Sequence, residues 1–130
     1  MNSNMDNQQH QEARQRAVAL GRSQDPAALT ELVQLLKMPS ADIRRLAASA
    51  IGKLSGFGAD GAKAVEALAP VALHDPHPQT RQYALKALKT YGAYAEAWLG
   101  KLDDLAARPN HKDYIPVAAA AAARTIREAV

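Results

Sequence analysis

Cysteine is absent from the 130 residues, which excludes disulfides, thiolate metal sites and a cysteine nucleophile. Aromatic side chains make up only 5%, so the core cannot be built as layers of large rings. The plentiful alanine, the strongest helix former, favours an all-α fold of closely approaching helices instead. Long apolar runs are missing too: nothing approaches the ~18 to 20 residues that span a bilayer, and Ala118 to Ala123 is too short and too weakly hydrophobic. Met1 to His10 has neither a basic segment nor an apolar one and does not read as a secretory leader, so a cytoplasmic protein is expected. Charge of one sign is not concentrated: the net charge is +3, with an isoelectric point near 9.3. That keeps a protein soluble but falls short of a dedicated nucleic-acid binder.

Catalytic signatures are also lacking. There is no nucleophile motif, no HExxH, and no glycine-rich loop after a strand; Gly56-Phe57-Gly58-Ala59-Asp60-Gly61 follows a helical pattern and reads as a flexible joint. His74 and His77 flank Asp75, but Pro76 and Pro78 break the helix that would align the rings, and only the distant His111 could add a ligand. No metal site, cofactor or catalytic residue is assigned, and a non-enzyme is expected.

What the chain does have is a duplication. Ile43-Arg44-Arg45-Leu46-Ala47-Ala48-Ser49-Ala50-Ile51 recurs 37 positions later as Thr80-Arg81-Gln82-Tyr83-Ala84-Leu85-Lys86-Ala87-Leu88. An arginine keeps alanine three and six positions on and a large aliphatic residue at the seventh. A helical repeat of this period means stacked helix pairs. Gly21, Gly56 and Gly92 each follow an apolar run, where a left-handed residue would end the second helix of a unit.

Residues 1–9 are polar without periodicity and read as a disordered tail before one domain over 10–130. Ala13, Ala17, Val18 and Leu20 mark a leading helix, and Asp25-Pro26 caps a second that buries Leu29, Leu32, Val33 and Leu36. Ser40 caps the first copy of the duplicated helix. Val65, Leu68, Ala69 and Ala72 line the next helix, which Pro70 should kink or shorten. Ala95, Trp98, Leu99, Leu102 and Leu105 fit another, and Tyr114 to about Ala129 the last, giving three helix pairs after one leading helix. Tyr91, Tyr94 and Trp98 read as packing at the joint around Gly92.

With these blocks the chain resembles the HEAT-repeat family, in particular its short bacterial form related to the phycocyanobilin-lyase-type repeats. The likeness spans roughly residues 10 to 130. The family's turn carries an Asp-Pro with an arginine six positions after the aspartate, matched by Asp75, Pro76 and Arg81. Met38-Pro39 with Arg44 keeps the proline and arginine without the aspartate, and Val117 occupies the arginine position of the last unit. The resemblance implies a right-handed α-solenoid in which these residues are structural and tie neighbouring repeats together, with an incomplete ladder. Arg81 is expected to pair with Asp75 or with a neighbouring repeat's carbonyls.

The resemblance also implies that second helices line the concave surface, where Arg45, Lys53, Gln82, Lys86 and Lys89 would form the primary binding face for a protein partner. Ala118, Ala121, Ala122 and Thr125 of the last helix do not continue this basic stripe and form a candidate secondary or self-associating surface, on a monomer or weak homo-oligomer. A nucleic-acid-binding accessory using a basic concave face is the alternative. A lyase-like pigment chaperone is disfavoured, because the relevant relatives are longer and nothing marks a chromophore site.

Overall fold

The computed structural model of the chain describes residues 6–110 and 112–130. Every regular element among them is helical: α1 (Asn7–Arg22), α2 (Leu29–Leu35), α3 (Ala41–Lys53), α4 (Gly61–His74), α5 (Pro78–Thr90), α6 (Leu99–Ala107) and α7 (Tyr114–Ala129), with 3-10 turns before α2, after α3 and before α6. None is long and apolar enough to cross a membrane. The order is the expected one, a leading helix and then the pairs α2–α3, α4–α5 and α6–α7.

The starts of the helices follow local side-chain chemistry. Ser40 accepts from Ile43 N at 3.3 Å and Asp60 from Lys63 N at 3.1 Å, each satisfying an amide that the first turn leaves free. α1 begins earlier than its polar composition suggested. Asp6 accepts from Gln9 N at 2.7 Å while Gln9 Oε1 accepts from Asp6 N at 3.3 Å, a capping box that holds residues 7–9 in the helix. Of the tail expected over 1–9, residues 1–5 lie outside the described residues. α4 runs through Pro70 to His74, because Pro70 is exposed and the carbonyl it leaves without a donor can meet water. Ahead of α6, residues Gly92–Trp98 form a 3-10 turn where a continuous helix was expected.

Two of the three expected helix-ending glycines act otherwise. Gly92 is left-handed, with φ 56°, but Gly21 lies within α1 and Gly56 within a 3-10 turn, and the other left-handed positions are Gly58 and Gln24. Gly21 is needed for proximity: a Cβ there would lie 2.8 Å from Ala50 Cβ of α3. At Gly52 the corresponding distance to Ala87 Cβ of α5 is 3.2 Å. Small residues thus let α1, α3, α5 and α7 pack in one row, each against the next, while α2, α4 and α6 cover the other side. α2 and α4 touch only sparsely, leaving a cleft of about 460 Å3 beside Val33, Leu36, Pro70 and Val71. A stack tight in one layer and loose in the other curves toward the tight one.

Polar ties hold α3 and its turn against the following repeat, among them a bond from the Thr90 hydroxyl to the carbonyl of Gly52 at 3.3 Å. Arg44 donates from Nε to Asp75 Oδ2 at 2.7 Å and from Nη2 to Oδ1 at 3.1 Å, with the two side chains 14% and 5% exposed. The fully buried Thr80 donates to the carbonyl of Ala41 at 3.1 Å. Tyr91 donates to the carbonyl of Ile51 at 2.5 Å, and burial pushes its phenol up to about 12. The partner of Asp75 is therefore Arg44 of the preceding repeat, not Arg81. Arg81 instead donates from Nε to the carbonyl of Ala72 at 3.1 Å, satisfying an acceptor in the last turn of α4.

The last pair is set in a register that differs from the sequence reading. Buried Ile115, Ala119, Ala122, Ala123 and Ile126 of α7 take the places of Thr80, Ala84, Ala87, Leu88 and Tyr91, each 35 residues further along. Pro116, not Val117, therefore occupies the arginine position, and Asn110 the position of Asp75. The turns agree: Asp75 Oδ1 accepts from His77 N at 2.9 Å, and Asn110 Oδ1 from Lys112 N at 3.0 Å.

Candidate interaction face

One side of the second-helix row carries the residues singled out in the sequence. Alternating steps of three and four residues bring Asp42, Arg45 and Ser49 of α3, Gln82, Lys86 and Lys89 of α5, and Tyr114, Ala118, Ala121 and Thr125 of α7 onto parallel stripes. The stripes differ in how their charges are answered. Asp42 forms ion pairs with both Arg14 of α1 and Arg45. The Arg45 guanidinium also lies 5.4 Å from the centre of the Tyr83 ring, which the Lys86 ammonium approaches to 5.6 Å.

Two clefts flank Lys86. The one between α3 and α5, about 370 Å3, is lined by Ser49, Gly52, Lys53, Tyr83, Lys86 and Thr90, with Ala87 at its floor. The other, between α5 and α7, is about 290 Å3 and is lined by Gln82, Lys86, Lys89, Tyr114, Ala118 and Ala121 together with Val117, which is 67% exposed. Neither lining includes a carboxylate. The site is thus a pair of mainly apolar hollows rimmed by three ammonium groups, with two arginines on one flank sharing the single carboxylate of Asp42.

The expected primary residues come together, with Lys53 and Lys86 in one cleft, Gln82, Lys86 and Lys89 in the other, and Arg45 beside them. The expected secondary surface is not separate. Ala118 and Ala121 line the same cleft as Lys86 and Lys89, Thr125 is exposed further along α7, and Ala122 is fully buried and takes no part in any surface. Tyr114, Val117 and Asp42 were not read as part of this face; their signal was the 3-4 spacing within each helix, which becomes informative only when the helices lie side by side.

A family model described as HEAT repeats matches residues 4–89. The chain belongs to the HEAT-repeat family. The comparisons with curated proteins and with solved structures find no match. The HEAT match ends just before the end of α5, and the helix pair beyond it carries the departures described above, Asn110, Pro116 and the alanine run. The paired clefts therefore straddle the boundary between matched HEAT repeats and a divergent last unit.

Proposed function

We propose that this HEAT-repeat protein is a non-catalytic adaptor or scaffold module that binds a protein partner across the α3–α5–α7 face. The observation that carries this reading is the pair of clefts on either side of Lys86. Apolar floors accept small aliphatic side chains, and Lys53, Lys86 and Lys89 accept carboxylates at the rims. A protein segment that alternates acidic and aliphatic residues fits this pattern. A phosphate backbone fits less well, because Val117, Ala118 and Ala121 interrupt the cationic row.

The test is affinity capture with the wild-type chain, identification of the captured protein, and titration of that partner against variants. The double charge reversal Lys86→Glu with Lys89→Glu is expected to weaken binding tenfold or more, with stability changed by no more than about 0.5 kcal/mol, as for exposed positions generally. Ala121→Glu is expected to weaken the same partner, because Ala121 shares the cleft with both lysines. Binding that ignores all three substitutions, or capture of nucleic acid that falls steeply with salt, overturns the reading.

A further inference from the structure

Lys86 lines both clefts of the α3–α5–α7 face, so the two hollows lie across α5 from one another with Lys86 on the ridge between them. Each hollow sits between neighbouring second helices, and packed helices are spaced about 8–10 Å apart, which sets the distance from one hollow to the other. The ends of this span differ from its middle. Gly52 and Ala87 give the α3 side a floor without bulky side chains, and Val117, Ala118 and Ala121 make the α7 side apolar. The middle is cationic. The Lys86 ammonium lies 5.6 Å from the centre of the Tyr83 ring, which draws the exposed side chain down toward α5, and it forms no ion pair among the described residues.

An occupant of both hollows has to place two aliphatic side chains at this separation, with a carboxylate between them on the same face. A β-strand keeps residues i and i+2 on one face at about 6.6 Å and i and i+4 at about 13 Å, and neither matches. A polyproline II segment brings i and i+3 to about 9.3 Å on one face, but the two residues between them turn away by about 120° to either side, and neither comes down on the ridge. An α-helix sets i and i+7 about 10.5 Å apart, close to the upper end of the span, with i+3 and i+4 between them on the same face. Of these backbones the helix alone meets both conditions.

We propose that the partner segment held by this face is an amphipathic helix lying across α5, with aliphatic residues i and i+7 in the two hollows and an acidic residue at i+3 or i+4 on Lys86. This rests on the adaptor reading and narrows it, adding the conformation of the bound segment and the spacing of its anchors. The alternation of acidic and aliphatic groups then runs along one face of the partner helix rather than along its sequence. Lys53 in one hollow and Lys89 in the other attract further acidic residues beside the aliphatic anchors, and neither lining holds a carboxylate that would repel them.

Fluorescence anisotropy of labelled synthetic peptides titrated with the full chain tests the proposal. The probe is a helix fixed by a hydrocarbon staple on its far side, with leucines seven positions apart, glutamates at both midway positions, and alanine and glutamine elsewhere. It is expected to bind at least tenfold more tightly than the same peptide with its second leucine moved two positions, which turns that side chain to the far side of the helix. The same margin is expected over an unstapled peptide in which prolines flank the glutamate pair and prevent a helix. Lys86→Gln, at an exposed position and with an unchanged Tm, is expected to weaken the glutamate probe at least fivefold and to leave unchanged a probe with glutamines midway, which couples the lysine to the acid. A stapled probe that binds no better than the shifted or the proline peptide, or a Lys86→Gln variant that affects both midway residues equally, overturns the helix. The adaptor reading fails separately: a proline peptide that binds best and is weakened by Lys86→Glu with Lys89→Glu leaves that reading standing with an extended partner, whereas a captured partner indifferent to the double reversal removes the reading itself.

Discussion

At the scale of single residues, burial decides which polar contacts matter. The Arg44–Asp75 pair is largely shielded from water, so removing one partner leaves the other with an unanswered charge in a poorly solvated place. Asp75→Asn is expected to cost about 2 to 4 kcal/mol, read as a lowered Tm and urea midpoint, with much of the loss absent when Arg44→Met accompanies it. The Arg16–Glu31 pair provides the contrast. It is two-toothed and draws the Glu31 carboxyl below its ordinary range through the Arg16 hydrogen bonds, yet it is exposed, and Glu31→Gln is expected to leave the Tm nearly unchanged. Tyr91 supplies a pH test. Its folded phenol is raised by desolvation from 10 to about 12, so its stabilising contribution is complete below pH 10 and is lost as pH rises from 10 through 12. The Tm is expected to fall across that window, and Tyr91→Phe, less stable at neutral pH, is expected to show a shallower fall.

At the scale of elements, the second helices are governed by what they omit. Gly21 costs helix propensity, about 1 kcal/mol relative to alanine, and is tolerated because α1 and α3 meet there with almost no space between backbones. Gly21→Val is expected to destabilise by about 2 to 3 kcal/mol, since the Ala50 backbone it would strike cannot rotate away as a long side chain could. Gly56 and Gly58, two residues apart in one loop, are expected to respond differently. A Cβ meets nothing within 4 Å at either, but Gly58 has φ 82° and Gly56 does not have a positive φ. Gly56→Ala is therefore expected to be neutral or slightly stabilising and Gly58→Ala to cost about 1 kcal/mol, which chemical denaturation of the two variants would resolve.

For the whole molecule, cohesion is unequal between layers. α3 and α5 are packed on both sides by other second helices and are joined through Thr80, Tyr91 and the Arg44–Asp75 rung, whereas α2 and α4 leave an open cleft between them. Amide exchange is expected to be slowest in α3 and α5 and faster in α2 and α6, since stability in a repeat stack depends on each unit and its neighbours. Uniform protection across all seven helices would contradict this gradient. The last repeat is held differently: Arg127 pairs with Asp103 at the surface, where its hydrogen bonds lower the Asp103 carboxyl. The rung that would have tied it to its neighbour lacks the acid, so the C-terminal pair is the place where a ligand or partner has the most to add.

The residue pattern determined by itself the all-α class, the number of helices, the caps at Asp25 and Ser40 and the stripe of long polar side chains, because periodicity and capping are local and act within a few residues. Arg44, Asp75 and Arg81 were legible as structural residues only through the resemblance to HEAT repeats. Which residue each one meets was decided only by tertiary structure: a rung joins residues of different repeats, and the Arg44–Asp75 pair spans 31 positions. The same holds for the register of α7, where a repeat spacing of 35 residues places Pro116 in the arginine position and Asn110 in the acid position. It holds for the clefts beside Lys86 as well. A sequence places lysines on α5 and alanines on α7, but only the packing of those helices puts them around one hollow, and only the near contact at Gly21 shows that this glycine serves a helix crossing rather than a turn.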